Sequence, residues 1–495
     1  MKLENSITHE NINQNLLKVN YAVRGPILDR AEQIERELAK GVSKPFERVI
    51  RANIGDCHAL GQQPFTFIRQ VMALVSCPTL LTSEEFPEDV KDKAREILDD
   101  CTSGSVGAYS PSLGLRCVRR RAAEYLAARD GVPAAADDVW LGAGASDLVK
   151  SVLSLFAGQV DGKPSAVMVP VPQYPLFSGT LAELGVHMAP YYLDEENHWA
   201  VCIQELERSW NAASKEHAVR ALVIINPGNP TGQVLSRENI EKIIKFAHER
   251  RLLIMADEVY QENIISKPFH SFKKVTHELG APYCDMELSS FVTASKGWAA
   301  ECGARAAFVE LRLPRAARAA LLRVRALQQC PAVPGQAVLH CVVRAHPVRS
   351  SPTVLCARRC GPPRSGEPSH AQFAAELRSV RAVLRARAAA AHRVFSSLPG
   401  YCCNVIDGSM FAFPRVELPA RAQRAARRAG LQPDELYCLR LLEDTGICVV
   451  PGSGFGQRPG TFHFRTTILH PPHEFRYMLR AIAAFHHSFL EQYRG

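Results

Sequence analysis

Between about residues 76 and 330, short apolar runs alternate with stretches whose apolar positions recur at helical spacing. This alternation constrains the fold strongly, because parallel strands need crossovers, usually helices, that cover both faces of their sheet. The clearest unit runs from 221 to 255. Ala221-Leu222-Val223-Ile224-Ile225 reads as a buried strand, Ser236 as a helix N-cap, and Ile240, Ile243, Ile244 and Ala247 as one helix face. Leu252-Leu253-Ile254-Met255 reads as the next strand, and 167–171 and 291–292 as two more. A chain of 495 residues exceeds one ordinary core. The expected division is an arm and helix over 1–75, packing on the smaller domain or a partner subunit, then a large α/β domain over 76–330. A smaller α+β domain follows over 331–495. Within it, 348–365 is rich in Arg, Pro, Ser and Cys without periodicity and reads as a loop or insertion. An alanine- and arginine-rich helix is expected over about 371–395.

In open parallel sheets, ligands sit beyond the carboxyl ends of the strands. Four candidate strand ends carry chemistry here. Tyr174 follows 167–171 in Pro172-Gln173-Tyr174-Pro175. Asn229 follows 221–225 in Asn226-Pro227-Gly228-Asn229-Pro230-Thr231-Gly232. Asp257 and Tyr260 follow the next strand in Ala256-Asp257-Glu258-Val259-Tyr260. Lys296 lies in Thr293-Ala294-Ser295-Lys296-Gly297-Trp298. A lysine able to form a Schiff base, a carboxylate for a pyridinium nitrogen and two donors for a phenolate oxygen describe a pyridoxal phosphate pocket. Any one of them alone has an ordinary structural explanation. The ordered set at strand ends is the signal.

Two further stretches bear on anions. Val139-Trp140-Leu141-Gly142-Ala143-Gly144-Ala145-Ser146-Asp147 is a small-residue turn opening a helix, where the N–H groups of Ala145 and Ser146 suit a phosphate. Arg305 and the hydroxyl of Thr293 are candidates for the same phosphate. Arg465 stands in the apolar alternation Phe462-His463-Phe464-Arg465-Thr466-Thr467-Ile468-Leu469 and should be partnered if buried. Its partner is either an internal acid or a substrate carboxylate.

Composition narrows the class. The net charge of +9 comes without a basic–aromatic module, so no nucleic-acid partner is expected. Fifteen cysteines scattered over a long chain fit reduced thiols, and none shows zinc-ligand spacing, so no metal is expected. Apolar runs fall far short of the ~20 residues of a membrane helix. Residues 1–20 carry Glu4 and Glu10, and no arginine precedes Arg24, which speaks against secretory and mitochondrial leaders. The expectation is a cytoplasmic protein.

Several strings are long enough to carry a resemblance: Tyr21-Ala22-Val23-Arg24-Gly25-Pro26-Ile27, Ile50-Arg51-Ala52-Asn53-Ile54-Gly55-Asp56, the asparagine and aspartate strings above, and residues 442–457. Over nearly the whole chain they resemble the fold-type I pyridoxal-phosphate aminotransferases of class I/II, and within these the alanine aminotransferases. The resemblance implies a homodimer with pyridoxal 5'-phosphate on Lys296, which also shuttles the proton. It implies Asp257 at the ring nitrogen, Tyr260 and Asn229 at the ring oxygen, and Tyr174 stacked on the ring. Ala145, Ser146, Thr293 and Arg305 would hold the phosphate, joined by Tyr109 of the neighbouring subunit. Gly55 and Arg465 would grip the substrate α-carboxylate. The implied reaction is ping-pong transfer of the amino group from L-alanine to 2-oxoglutarate, giving pyruvate and L-glutamate.

There are departures. Where the family's pattern resembles Lys-Gly-Tyr-Met-Gly-Glu-Cys-Gly-Tyr-Arg-Gly-Gly-Tyr, Ala306 and Ala307 replace two glycines. If those positions need positive φ, strain beside Arg305 is expected. Cys57 and His58 stand where small or polar residues are usual. Two other readings remain open: an aminotransferase for an aromatic amino acid or kynurenine, and a paralogue that binds partners without catalysis.

Overall fold

The structure is a computed structural model that describes residues 6–21, 25–343 and 361–494. The expected loop at 348–365 lies outside these except for 361–365, which form bends and a turn.

The central sheet contains β1 (Val139–Gly142), β2 (Lys163–Val171), β3 (His187–Asp194), β4 (Ala200–Val201), β5 (Ala218–Ile225), β6 (Leu253–Asp257), β7 (Leu288–Thr293) and β8 (Ala307–Arg312). Their order is β1-β8-β7-β6-β5-β2-β3-β4, with Gln159–Val160 paired to β2 at one side. The pairings from β7 through β6, β5 and β2 to β3 are all parallel. β8 is antiparallel to both β7 and β1, so β1 runs with the parallel set. The sheet is therefore mostly parallel, as the alternating pattern implies. Strands β6 and β7 are buried at every residue, which is why they read as unbroken apolar runs.

Helices cover the sheet. α1 (Pro26–Ala39) belongs to the amino-terminal stretch, and α2 (Ala145–Leu153) follows β1. α3 (Arg237–Glu249) connects β5 to β6. It buries Ile240, Ile243, Ile244, Phe246 and Ala247, and Ser236 caps it by accepting from the Asn239 N–H at 3.2 Å. After 361 come α4 (His370–Ser397), α5 (Pro433–Thr445) and α6 (Pro472–Gln492). Strands here are short, such as Phe411–Ala412 and Val450–Pro451 on either side of Phe464–Thr467. Their apolar cluster, with Phe395, Tyr437, Phe464 and Phe489, is separate from those of the central sheet. The amino-terminal stretch joins it, Ile50–Arg51 pairing in parallel with Ile447–Cys448. No helix among the described residues is long and apolar enough to cross a membrane.

Candidate active site

The five parallel strands β7 to β3 end at one edge, and antiparallel β8 begins there. A cavity of about 550 Å³ lies at that edge, and eleven of the twelve residues nominated from sequence line it. They are Gly55, Ala145, Ser146, Tyr174, Asn229, Asp257, Tyr260, Thr293, Lys296, Arg305 and Arg465. Tyr109 does not line it. It is 75% exposed on the surface of this chain. A larger recess of about 790 Å³ near Asn197, Ser236 and Lys242 contains none of the nominated residues.

Lys296 and Asp257 come from adjacent strand ends. Lys296 Nζ donates to the Gly55 carbonyl at 2.7 Å and lies 5.8 Å from the centre of the Tyr260 ring. Asp257 is buried, and the Val259 N–H at 3.4 Å is the single hydrogen bond the structure gives its Oδ1. No cation pairs with it among the described residues. Burial therefore pushes its carboxyl up to about 7. A buried acid without a counter-charge at the floor of a cavity suits a cationic ligand nitrogen. Asn229 Nδ2 donates to the Tyr260 hydroxyl at 3.5 Å, and burial holds that phenol protonated well above its usual range.

The anion end is a turn with little room. Gly144, at φ 91°, precedes α2, and a Cβ there would sit 2.1 Å from Arg305 Nη2. Arg305 is itself left-handed (φ 47°, ψ 54°), a conformation costing a non-glycine residue roughly 1–2 kcal/mol. That bend turns its guanidinium back over the turn, where Nη2 donates to the Ala143 carbonyl at 3.4 Å and Nη1 to the Cys302 carbonyl at 3.0 Å. Held backbone strain of this kind is common where a side chain must be aimed. The Thr293 hydroxyl donates to the Ala306 carbonyl at 3.1 Å and accepts from the Ser295 N–H at 3.1 Å. Donating to a phosphate instead would require it to turn away from Ala306.

Arg465 resolves the choice posed by its sequence. It is buried, yet no Asp or Glu pairs with it among the described residues. Nη1 donates to Asn229 Oδ1 at 3.0 Å and Nη2 to the Asn53 carbonyl at 2.7 Å, while Nε has no partner. Phe411 and Phe455 flank the guanidinium at 4.1 and 4.7 Å, and burial lowers its pKa to about 10. The internal-acid alternative is thus removed, and the arginine has donors to spare for a carboxylate. Gly55 is confined: a Cβ there would lie 2.5 Å from Phe411 Cζ.

Sequence reasoning missed four contributors. The Tyr21 hydroxyl meets that of Tyr174 at 2.5 Å. Asn53, Phe411 and Phe455 build the walls around Arg465. Tyr21, Asn53 and Phe455 lay inside quoted strings, but neither phenylalanine was distinguishable from a core residue.

The strain expected at Ala306 and Ala307 is corrected. Neither has a positive φ, because Ala307 is already extended in β8, opposite Thr293 and Gly142. The left-handed alanine is Ala300, at φ 52°, where the same family pattern has another glycine.

A model of the aminotransferase class I and II family matches residues 77–482. The chain is 48% identical over 492 residues to the Homo sapiens protein named alanine aminotransferase 1, covering 98% of this chain and 96% of that one. It is 47% identical over 492 residues to the Danio rerio protein named alanine aminotransferase 2-like, covering 98% and 86%. Among solved structures, an alanine aminotransferase from Pyrococcus furiosus is similar with a TM-score of 0.71 at 21% identity, covering 96% and 99%. At that identity the last likeness speaks for the fold alone.

Proposed function

The chain belongs to the aminotransferases of class I and II, and from that premise we propose that it transfers the amino group of L-alanine to 2-oxoglutarate, yielding pyruvate and L-glutamate. Similarity over nearly full length to relatives named alanine aminotransferases supports this choice of donor. One observation carries the reading: Lys296, a buried Asp257 and a buried Arg465 line a single cavity, and among the described residues no cation pairs with the acid and no acid with the arginine.

Pyridoxal 5'-phosphate is the cofactor, and its ring, when bound, withdraws electrons from the substrate carbon and keeps the amino group between half-reactions. The residues fit it. Asp257 would hold the proton of the ring nitrogen, relieved of its own burial penalty by that positive charge. Tyr260 and Asn229 would donate to the ring oxygen, and Tyr174 would lie against the ring. The backbone of Ala145 and Ser146 at the amino end of α2, with Arg305, would hold the phosphate.

Arg465 would orient the substrate carboxylate with its remaining N–H groups, fixed by Asn229, Asn53 and the two phenylalanines. That leaves the substrate Cα proton for Lys296, whose Nζ takes it up as general base and returns it. The Gly55 carbonyl, 2.7 Å from Nζ, orients the amine for that transfer. In the ping-pong order the first 2-oxo acid leaves before the second binds, so one carboxylate grip serves both substrates. A homodimer belongs to the same reading, with the exposed Tyr109 ring reaching the partner's phosphate. The cytoplasm is the proposed compartment, tested by fractionation against the mitochondrial matrix.

The purified protein should show cofactor absorbance that changes on adding L-alanine and is restored by 2-oxoglutarate. A substrate panel including tyrosine and kynurenine checks the donor. Lys296→Ala should lose the lysine-linked absorbance and essentially all turnover. Near-normal turnover in that variant would refute the assignment.

A further inference from the structure

A second cavity, of about 390 Å³, includes Gly297 in its wall, the residue after Lys296. Its floor is one stripe of α4. Glu376, Val380, Leu384 and Arg387 line it and recur at near-helical spacing, so the floor spans about 16 Å at 1.5 Å per residue. Leu60, Phe65 and Leu469 supply much of the remaining wall.

The charged ends of this floor differ. The Glu376 carboxylate accepts from Thr66 Oγ1 at 2.7 Å, the Thr66 N–H at 3.3 Å and Gln372 Nε2 at 3.1 Å. Arg387 has no such closure. Its Nη1 donates to the Leu469 carbonyl at 2.6 Å, its buried Nε has no partner, and no carboxylate pairs with it among the described residues. Desolvation lowers its pKa to about 10. A half-buried guanidinium against apolar walls, with no counter-charge, calls for an anion. Apolar walls with a few placed polar groups are the usual makeup of a small-molecule site, and of the two charged groups here only Arg387 is left without a charged or side-chain partner among the described residues.

We propose that this cavity binds a small aliphatic monocarboxylate, its head on Arg387 and its chain along α4, apart from the substrate carboxylate at Arg465. Its position links it to catalysis. The Gly297 N–H donates to Asn263 Oδ1 at 2.8 Å, and Asn263 Nδ2 returns a bond to the Gly297 carbonyl at 3.4 Å. Both residues line the cavity, so an occupant packs against the clamp that fixes the Lys296 backbone.

The test uses the holoenzyme with hexanoate and, as uncharged counterpart, 1-hexanol, followed by calorimetric titration and thermal shift at constant ionic strength. Hexanoate should bind saturably, one per chain, and raise the thermal midpoint, with hexanol about tenfold weaker or more. Arg387→Gln should erase that preference, and Arg465→Gln should leave it intact. Leu384→Trp, which fills the cavity, should remove both ligands. No saturable hexanoate binding by about 10 mM overturns the proposal. So does binding that Arg387→Gln leaves unchanged, or that Arg465→Gln abolishes. If Arg387→Gln loses its cofactor absorbance through misfolding, Leu384→Trp and the wild-type hexanoate-to-hexanol ratio decide.

Discussion

Between about pH 4 and pH 7 the folded chain without cofactor keeps a proton on Asp257 that the unfolded chain has already released, because burial raises this carboxyl to about 7. Its contribution to stability is fully present below the unfolded pKa and is lost as pH rises toward 7, by about 1.4 kcal/mol per pH unit. Unfolding of cofactor-free wild type and Asp257→Asn, compared at pH 5, 6 and 7, should show wild type losing ground steadily to the variant. Parallel pH profiles would mean that Asp257 is not held protonated. Ala300 stores a different kind of strain. Its left-handed backbone costs roughly 1–2 kcal/mol, and glycine would return part of that gain as unfolded-chain entropy. Ala300→Gly should therefore stabilise by about 0.5–1 kcal/mol, a rise of about 1 °C in thermal midpoint. An unchanged or lowered midpoint would place the strain elsewhere.

Strands β5 and β6 with α3 were legible in the sequence because a parallel strand buried on both faces is a continuous apolar run, and because Ser236 marks where the helix begins. Ser236→Ala should cost about 1 kcal/mol of stability while leaving kcat within about twofold, since Ser236 does not line the cavity that holds Lys296. A large loss of turnover would tie α3 to the site more closely than this geometry does. The direction of β8 was not legible. A strand buried at five of six positions looks the same whether it runs parallel or antiparallel. Nor were the two-residue strands around Arg465, too short to display any alternation. Phe411 and Phe455 were unreadable as site residues for a different reason: they meet the guanidinium only through tertiary packing.

For the whole molecule, Lys296 and the exposed Tyr109 are the two groups that a dimeric reading assigns to different subunits at each site. Mixing Lys296→Ala with Tyr109→Ala, after unfolding and refolding together, should then restore activity that neither variant has alone, through dimers with one intact site. Absence of any recovery, with mixed dimers demonstrated, would argue that Tyr109 serves its own chain or none. Tyr174, Asn229, Asp257, Tyr260, Thr293 and Lys296 share one cavity because strand-end position, the feature sequence displays best, also decides which side chains meet.

The reversed direction of β8 has a consequence for how this chain can vary. Because β7 arrives at the edge and β8 departs from it, the ten residues from Lys296 to Arg305 form a closed span anchored by the Thr293–Ala307 pairing. That span acts as a ruler between amine and guanidinium. Helices and loops elsewhere can lengthen or shorten without moving either group, whereas one residue gained or lost here would displace both.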